Sequence, residues 1–315
     1  MQRVAFLYNP VSGQKSPRRA ASIRRAQELL REAGLTVTVY ESTTSERAAE
    51  QARQAVADGC DTVLACGGDG TVHAILQGIV GTDAALGVIP LGTANALAAD
   101  LGLAGSPERA VNLLLHSSPV QIRVPRIHYV DPQGQPASRY FIVAAGVGAD
   151  ALLMARLDAR LKRRLGYVLY LIEALRIWLT HHFPLFEATW VHPESGERET
   201  VHLSQLLAVR VRSFGGVLHE LAPGATLHNG KLRLLAFKTR SRLRYLRFLL
   251  AAVCKRQQFS GAIELWKTPL VECELNGSPE TIYVEADGDL LGTLPARMEI
   301  AEAHLNLLVP PGARP

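Results

Sequence analysis

Apolar and polar positions follow two different rhythms along this chain, and the change of rhythm divides it. The first hundred residues carry short apolar runs of strand length: Val4 to Tyr8, the β-branched Thr36 to Tyr40, Thr62 to Cys66, and Leu86 to Ile89. Helical patterns separate them. Ser16-Pro17 opens one that runs through Leu29-Leu30 and stops at Gly34, and Thr44 or Ser45 caps a second reaching about Ala57. Thr71 to Val80 and Ala94 to Leu101 supply two more. Strand and helix in strict turn, with short connections, predict parallel strands joined by right-handed crossovers.

After about Val120 strands dominate. Val120–Val130, Tyr140–Ala145, Phe186–His192, Val201–Val211, Lys231–Phe237, Ile263–Leu265, Leu270–Leu275 and Ile282–Ala286 read as strands with turns between them, and predict an antiparallel sandwich. Helices interrupt it over roughly Ala151 to His181 and Ser241 to Arg256. A closing strand, Leu305 to Val309, can return to either half. The expected fold is an α/β domain with a parallel sheet over residues 1–122, with 305–315 free to rejoin it, and an antiparallel β-sandwich over 123–304.

A chain of 315 residues suits two cores better than one, and 48% hydrophobic with 20% charged residues marks a folded protein. The net charge of +5 is compatible with nucleic acid, an anionic membrane surface or a phosphate-bearing ligand, and chooses none. Cys60, Cys66, Cys254 and Cys273 show no CxxC spacing, which speaks against a zinc site or a disulfide framework and suits a reducing compartment. The N-terminal apolar segment is too short for a signal peptide, and no stretch approaches the ~20 apolar residues that span a bilayer. The expected location is the cytoplasm, peripheral to the inner face of the membrane. Trp178, Trp190 and Trp266 are too dispersed for a base-stacking platform, so no nucleic-acid partner is expected.

An open α/β sheet binds ligands at the carboxyl ends of its strands. The loops there, Asn9–Gly13, Glu41–Ser45, Gly67–Thr71 and Pro90–Asn95, are all rich in Gly, Asn, Ser or Thr. A glycine loop leading into a helix can wrap a phosphate with inward amides and a favourable helix dipole. Gly67-Gly68-Asp69-Gly70-Thr71 fits that description, although alone it could equally be a tight turn. Asp69 is the informative residue, since a carboxylate beside phosphates needs a cation between them or a proton to handle. Cys66, just before the loop, reads as a small buried strand residue.

Three segments resemble the N-terminal signatures of diacylglycerol and sphingosine kinases and their bacterial relatives: Asn9-Pro10-Val11-Ser12-Gly13, Gly67 to Thr71, and Pro90-Leu91-Gly92-Thr93-Ala94-Asn95. The likeness continues through Gly146-Val147-Gly148-Ala149-Asp150-Ala151, the basic–aromatic stretch from Lys162 to Tyr170, Ala222 to Leu232, and Asp287-Gly288-Asp289. It implies a nucleotide domain, a β-sandwich lipid domain, and ATP in the cleft between them. It places Asn9, Pro10, Ser12, Gly13, Thr43, Gly67, Gly68, Gly70, Thr71, Thr93 and Asn95 around ATP. It makes Asp289 the catalytic base at the family's glutamate position, Asp287 its polar support, and Asp69 a partner of Mg2+ or of the attacking hydroxyl. Asn229 stands where the family's structural metal loop has a carboxylate, and His73-Ala74 where relatives have Asn-Glu.

The implied function is ATP-dependent phosphorylation of a lipid hydroxyl at a membrane surface, diacylglycerol first. GGDG also occurs in NAD kinases, so a soluble-substrate kinase is the rival reading, and a catalytically silent lipid- or nucleotide-binding protein a third. Two basic clusters adjoin apolar helical stretches, Arg156–Arg164 before Leu165–Leu179 and Lys238–Arg247 before Phe248-Leu249-Leu250. Each fits either an interfacial membrane helix or an ordinary solvated helix face.

Overall fold

The computed structural model describes residues 1–10, 17–92, 94–157, 167–192, 194–212, 214, 221–228, 230–254, 262–275, 277 and 280–313. The chain forms two compact units, Met1–Val124 with Glu302–Pro315, and Pro125–Ala301.

In the first unit, β1 (Arg3–Tyr8), α1 (Pro17–Glu32), β2 (Thr36–Glu41), α2 (Ser45–Ala57), β3 (Thr62–Gly67), α3 (Asp69–Ile79) and β4 (Ala85–Pro90) alternate as the sequence predicts. β1 pairs in parallel with β2 and β3, and β3 with β4. Asn306 and Leu307 then pair in parallel with Ala85 and Leu86, so the closing strand joins this sheet. β3 and β4 are buried along their whole length. Parallel strands covered on both faces must be, and this explains their unbroken apolar runs. Thr44 caps α2 by accepting from the Arg47 amide at 3.2 Å, and Ala48, Ala52 and Ala55 form its buried face.

Two further helices follow, α4 (Ala96–Asp100) and α5 (Pro107–Leu115). The pattern reading leaves α5 out. Its start signal was nevertheless present: Ser106 accepts from the Arg109 amide at 3.2 Å and Pro107 occupies the first turn.

Among the described residues, the strands of the second unit pair antiparallel. After β5 (Ser118–Val130) and β6 (Pro136–Tyr140), which pair, β7 (Ala144–Gly148) leads into α6 (Ala149–Arg156) and α7 (Tyr167–Thr180). The remaining elements are β8 (Phe186–Val191), β9 (Arg198–Leu203), β10 (Gln205–Val209), β11 (Leu232–Phe237), α8 (Arg242–Val253), β12 (Ile263–Thr268), β13 (Leu270–Glu274), β14 (Tyr283–Ala286) and β15 (Asp289–Val309). One run of neighbours is β12-β11-β10-β7-β14-β15, and a second passes from β15 through β13 and β8 to β9. The sandwich core packs Phe186, Val271, Val284, Leu294 and Met298 around Trp190 and Trp266, whose rings stack 5.0 Å apart.

Three expected elements are redrawn. The single helix expected over Ala151–His181 is interrupted at Leu157, which adopts an extended ψ of 108°; residues 158–166 lie outside the described residues. The strand over Val201–Val211 breaks at the buried Ser204, whose hydroxyl lies 2.6 Å from the Thr239 carbonyl and 2.8 Å from the Tyr245 hydroxyl. The strand over Tyr140–Ala145 falls on the gap between β6 and β7, where the amides of residues 142, 143 and 144 turn to a carboxylate instead of a strand partner.

Candidate functional site

Strand register gathers the candidate loops of the first unit. Tyr8 is level with Glu41 and Cys66, and Cys66 with Ile89, so the loops after β1, β2, β3 and β4 leave one edge of the sheet together. Asn9 and Pro10 begin the first of these loops and are half-buried. Thr43 is exposed in the second, beside the capping Thr44. Ser12, Gly13 and Thr93, expected at the nucleotide, lie outside the described residues, as does Asn229 of the expected metal loop.

The third and fourth loops interlock. The Leu91 amide donates to the Gly67 carbonyl at 2.8 Å. Asn95, at a left-handed φ of 50°, accepts from the Gly92 amide at 2.9 Å and donates back to the Gly92 carbonyl at 2.8 Å. A Cβ on Gly92 would stand 2.6 Å from the Gly68 Cα, and one on Gly67 would overlap the Thr71 side chain. Backbone therefore lies directly against backbone here, with the first turn of α3 opening beside it. The Thr71 and Val72 amides donate to the Gly68 carbonyl at 2.9 and 3.2 Å, so the helix starts on the loop itself and its dipole adds positive potential there. Asp69 is the first residue of α3, where its charge also favours the helix end. Glycine backbone without Cβ atoms beside a helix N-terminus fits a nucleotide's phosphates.

Arg19 is a residue that sequence reasoning missed. From the first turn of α1 its Nη1 donates to the Leu91 carbonyl at 3.2 Å, which fixes a cation at this edge. Burial lowers its pKa, and Cys66 partly offsets that shift. Cys66 itself is buried and its thiol is pushed far up, so it stays a neutral strand residue.

In the second unit Asp287-Gly288 forms the two-residue loop between β14 and β15, with Ala286 paired to Asp289. Both loop residues have positive φ, 50° and 84°, the demand of a type I′ hairpin that Asp-Gly meets well. The turn is thus an ordinary hairpin signal, and something more. The Asp287 carboxylate is buried and accepts from three amides: Ile142 at 3.0 Å, Val143 at 2.8 Å and Ala144 at 3.0 Å. The Asp287 amide donates to the Ala144 carbonyl at 2.8 Å, and the Gly288 amide to Glu285 Oε2 at 2.9 Å. Asp287 is thereby committed to positioning. Asp289, the first residue of β15, stays half-exposed on this clamped turn. A register shift between Val284 and Glu285 adds a bulge of the kind that re-aims side chains beside active sites.

Behind the turn lies a carboxyl pair that no motif announced. Glu285 is buried, and desolvation raises its pKa well above the usual range, with Asp150, Asp287 and Asp289 adding to the shift. Asp150, as a residue, is only half-buried, yet both of its carboxyl oxygens are buried. Its carboxyl group folds back over Gly146, where a Cβ would overlap it. Desolvation pushes its pKa up to about 7, against a smaller pull from the Ala151 and Asp150 amides. The folded state therefore holds a proton that the unfolded chain releases near pH 4. Its stabilising effect is full below that point and disappears as pH rises through about 7. Between pH 5 and 7 the loss should be on the order of 2–3 kcal/mol. Asp150→Asn should flatten this fall, so thermal unfolding of both proteins from pH 5 to 8 should show the variant gaining on the parent as pH rises.

Arg210, also buried, donates to the Leu227 carbonyl at 2.5 Å and the Lys231 carbonyl at 3.1 Å. Desolvation lowers its pKa to about 10, which leaves it a cation at neutral pH. A guanidinium thus engages carbonyls on both sides of the expected metal loop. Among the described residues no group of three His, Cys, Asp or Glu is arranged to hold a metal.

Residues 3–127 match the family model of the diacylglycerol kinase catalytic domain, and residues 141–309 that of the YegS C-terminal NAD kinase beta sandwich-like domain. Over 318 residues the chain is 31% identical to a diacylglycerol kinase of Mycobacterium tuberculosis, covering 98% of this chain and 95% of that one. It is 25% identical over 316 residues to a diacylglycerol kinase of Bacillus subtilis, covering 98% and 97%. The fold resembles that of a diacylglycerol kinase crystal structure from Bacillus anthracis, with a TM-score of 0.68 at 17% identity over 99% of this chain and 98% of that one.

Proposed function

Because this chain belongs to the diacylglycerol kinase family of lipid kinases, we propose that it transfers the γ-phosphoryl group of ATP to a lipid hydroxyl, with diacylglycerol as first acceptor. The observation that carries this reading is the clamped turn, in which three amides fix Asp287 and leave Asp289 half-exposed.

Bound ATP would supply the phosphoryl group, and magnesium would neutralise its oxygens. Asn9, Ser12, Gly13, Gly67, Gly68, Gly70, Thr71, Thr93 and Asn95 would hold the phosphates through backbone amides and short polar side chains, with Pro10, which has no N–H to offer, shaping the first loop and Thr43 nearer the nucleoside. Asp69 would face the cation. Arg19, held against the Leu91 carbonyl, adds fixed positive charge at the same loops. Phosphoryl transfer asks a protein mainly for positioning and charge, plus a base for the acceptor proton. Asp289 takes that proton as the hydroxyl attacks. Asp287 does no proton transfer, since its oxygens are occupied by amides, and it fixes the direction in which Asp289 points.

Labelled-ATP transfer should be measured against diacylglycerol, sphingoid base, ceramide, phosphatidylglycerol and NAD, each with magnesium. The expected result is product on diacylglycerol above all others. Transfer to NAD alone would replace this reading with a soluble-substrate kinase, and ATP binding without turnover on any acceptor would overturn it.

A further inference from the structure

Ten large hydrophobic side chains are exposed among the described residues, and six of them sit on just two helices. Single exposed leucines are normal, whereas such a concentration marks an interaction site. On α7 they are Ile172, Leu175 and Leu179, exposed by 52, 56 and 53%. The spacing of three and four puts them in one stripe. On α8 they are Leu243, Leu249 and Leu250, exposed by 64, 44 and 57%.

Neither stripe is needed for packing inside the unit. Leu169 and Ile177 bury the inner face of α7, and Tyr245, Phe248 and Ala252 that of α8. Phe183 and Phe237 both stack on Tyr245 and complete that inner layer. At 100° per residue, Leu243 and Leu250 stand opposite the Tyr245–Phe248–Ala252 face. The two helices also meet end to start: Trp178 Nε1 donates to the Arg242 carbonyl at 2.9 Å, and Arg242 Nη2 to the His181 carbonyl at 3.2 Å.

Charge selects the occupant. Arg240, Arg242, Arg244 and Arg247 are exposed around the α8 stripe, and Arg176 beside the α7 stripe. The only acid on the two helices is Glu173, whose side chain is largely buried and lies 3.8 Å from Arg176. A second copy docking on the same patch by two-fold symmetry would set arginine against arginine. An anionic bilayer answers both features, taking leucines into the acyl boundary and arginines among its headgroups. We propose that the outward faces of α7 and α8, through Ile172, Leu175, Leu179, Leu243 and Leu250 with their arginine border, form the surface by which this protein sits on an anionic membrane. This rests on the lipid-acceptor reading above for the choice of partner, and on the exposure and charge of the two helices for its location.

The test is sedimentation of the full-length protein with phosphatidylcholine vesicles and with equimolar phosphatidylglycerol–phosphatidylcholine vesicles. The parent should bind the anionic vesicles, release them in high salt, and ignore the neutral ones. Leu175→Glu/Leu250→Glu should lower the bound fraction about tenfold or more with unchanged thermal unfolding, and Arg242→Gln/Arg247→Gln about tenfold. On a water-soluble short-chain diacylglycerol the leucine variant should keep the parent rate and lose it only on vesicle-borne acceptor. Vesicle binding by the leucine variant equal to the parent's would overturn the proposal. So would a parent that ignores anionic vesicles and forms a dimer that the leucine variant abolishes. Residue-dependent vesicle binding with no turnover on any acceptor would uphold the surface while removing the kinase reading.

Discussion

Asp289→Asn should lower the turnover number for phosphoryl transfer by about 10²–10⁴-fold, the range expected when a general base is lost. Asparagine keeps the size of the side chain and its place at the head of β15, and removes only the basicity. KM for ATP should stay within about twofold, because the loops proposed to hold the phosphates belong to the first unit's sheet rather than to the β14–β15 turn. Stability should change by less than about 1 kcal/mol, as Asp289 is half-exposed. Any change should be a gain at high pH, because the Asp289 charge is one cause of the raised Glu285 pKa. Asp289→Glu provides the complementary arm. It lengthens the carboxylate by one methylene and should retain activity at or above the parent. Steady-state kinetics on the diacylglycerol acceptor decide the matter, and an Asn variant with more than a tenth of parental turnover would remove Asp289 from the role of base.

Much of the first sheet's carboxyl edge was legible because a parallel sheet leaves little freedom. Once Val4–Tyr8, Thr62–Cys66 and Leu86–Ile89 are strands of one parallel sheet, the loops after them must leave its carboxyl edge together. Asn9, Gly67–Thr71 and Asn95 are there. Arg19 was not legible in this way, since a helix surface is crowded with arginines and only packing decides which one reaches the Leu91 carbonyl. α5 was missed for a different reason. Its capping signal, Ser106-Pro107-Glu108, was plain, but nine residues are too few for a periodic stripe to stand out.

The sandwich was legible as strands and less so as boundaries. Leu291, Leu294, Ala296 and Met298 are buried along β15, which runs from Asp289, whereas the sequence pattern predicts only its last stretch, Leu305–Val309. The Asp150 and Glu285 pair lay out of reach altogether. Glu285 sits in a strand of mixed character and Asp150 in a glycine turn, and their shared burial comes from β7, β14 and α6 packing together. Asp287-Gly288 announced a hairpin, but the carboxylate's amide partners lie 143 to 145 residues away in sequence. No local pattern encodes such a contact.

That contact underlies the second large effect. Asp287→Ala should destabilise the protein by about 3–6 kcal/mol, a large part of the ~5–15 kcal/mol that holds a typical domain folded. Removing the carboxylate leaves the buried amides of Ile142, Val143 and Ala144 without their acceptor. Each such amide costs about 1–3 kcal/mol, with part of the sum recovered by relaxation or water. Alanine at a φ of 50° adds up to about 1–2 kcal/mol of backbone strain. Three substitutions separate these contributions. Asn tolerates the left-handed backbone and keeps one acceptor oxygen, so Asp287→Asn should be the mildest. Asp287→Gly relieves the backbone but leaves the amides unmet, and should fall between Asn and Ala. Denaturant unfolding gives the order directly, and an Ala variant within 1 kcal/mol of the parent would show that the three amides find other partners. Where a variant still folds, its turnover should fall more than its ATP affinity, because the same amides that anchor Asp287 set the direction of Asp289.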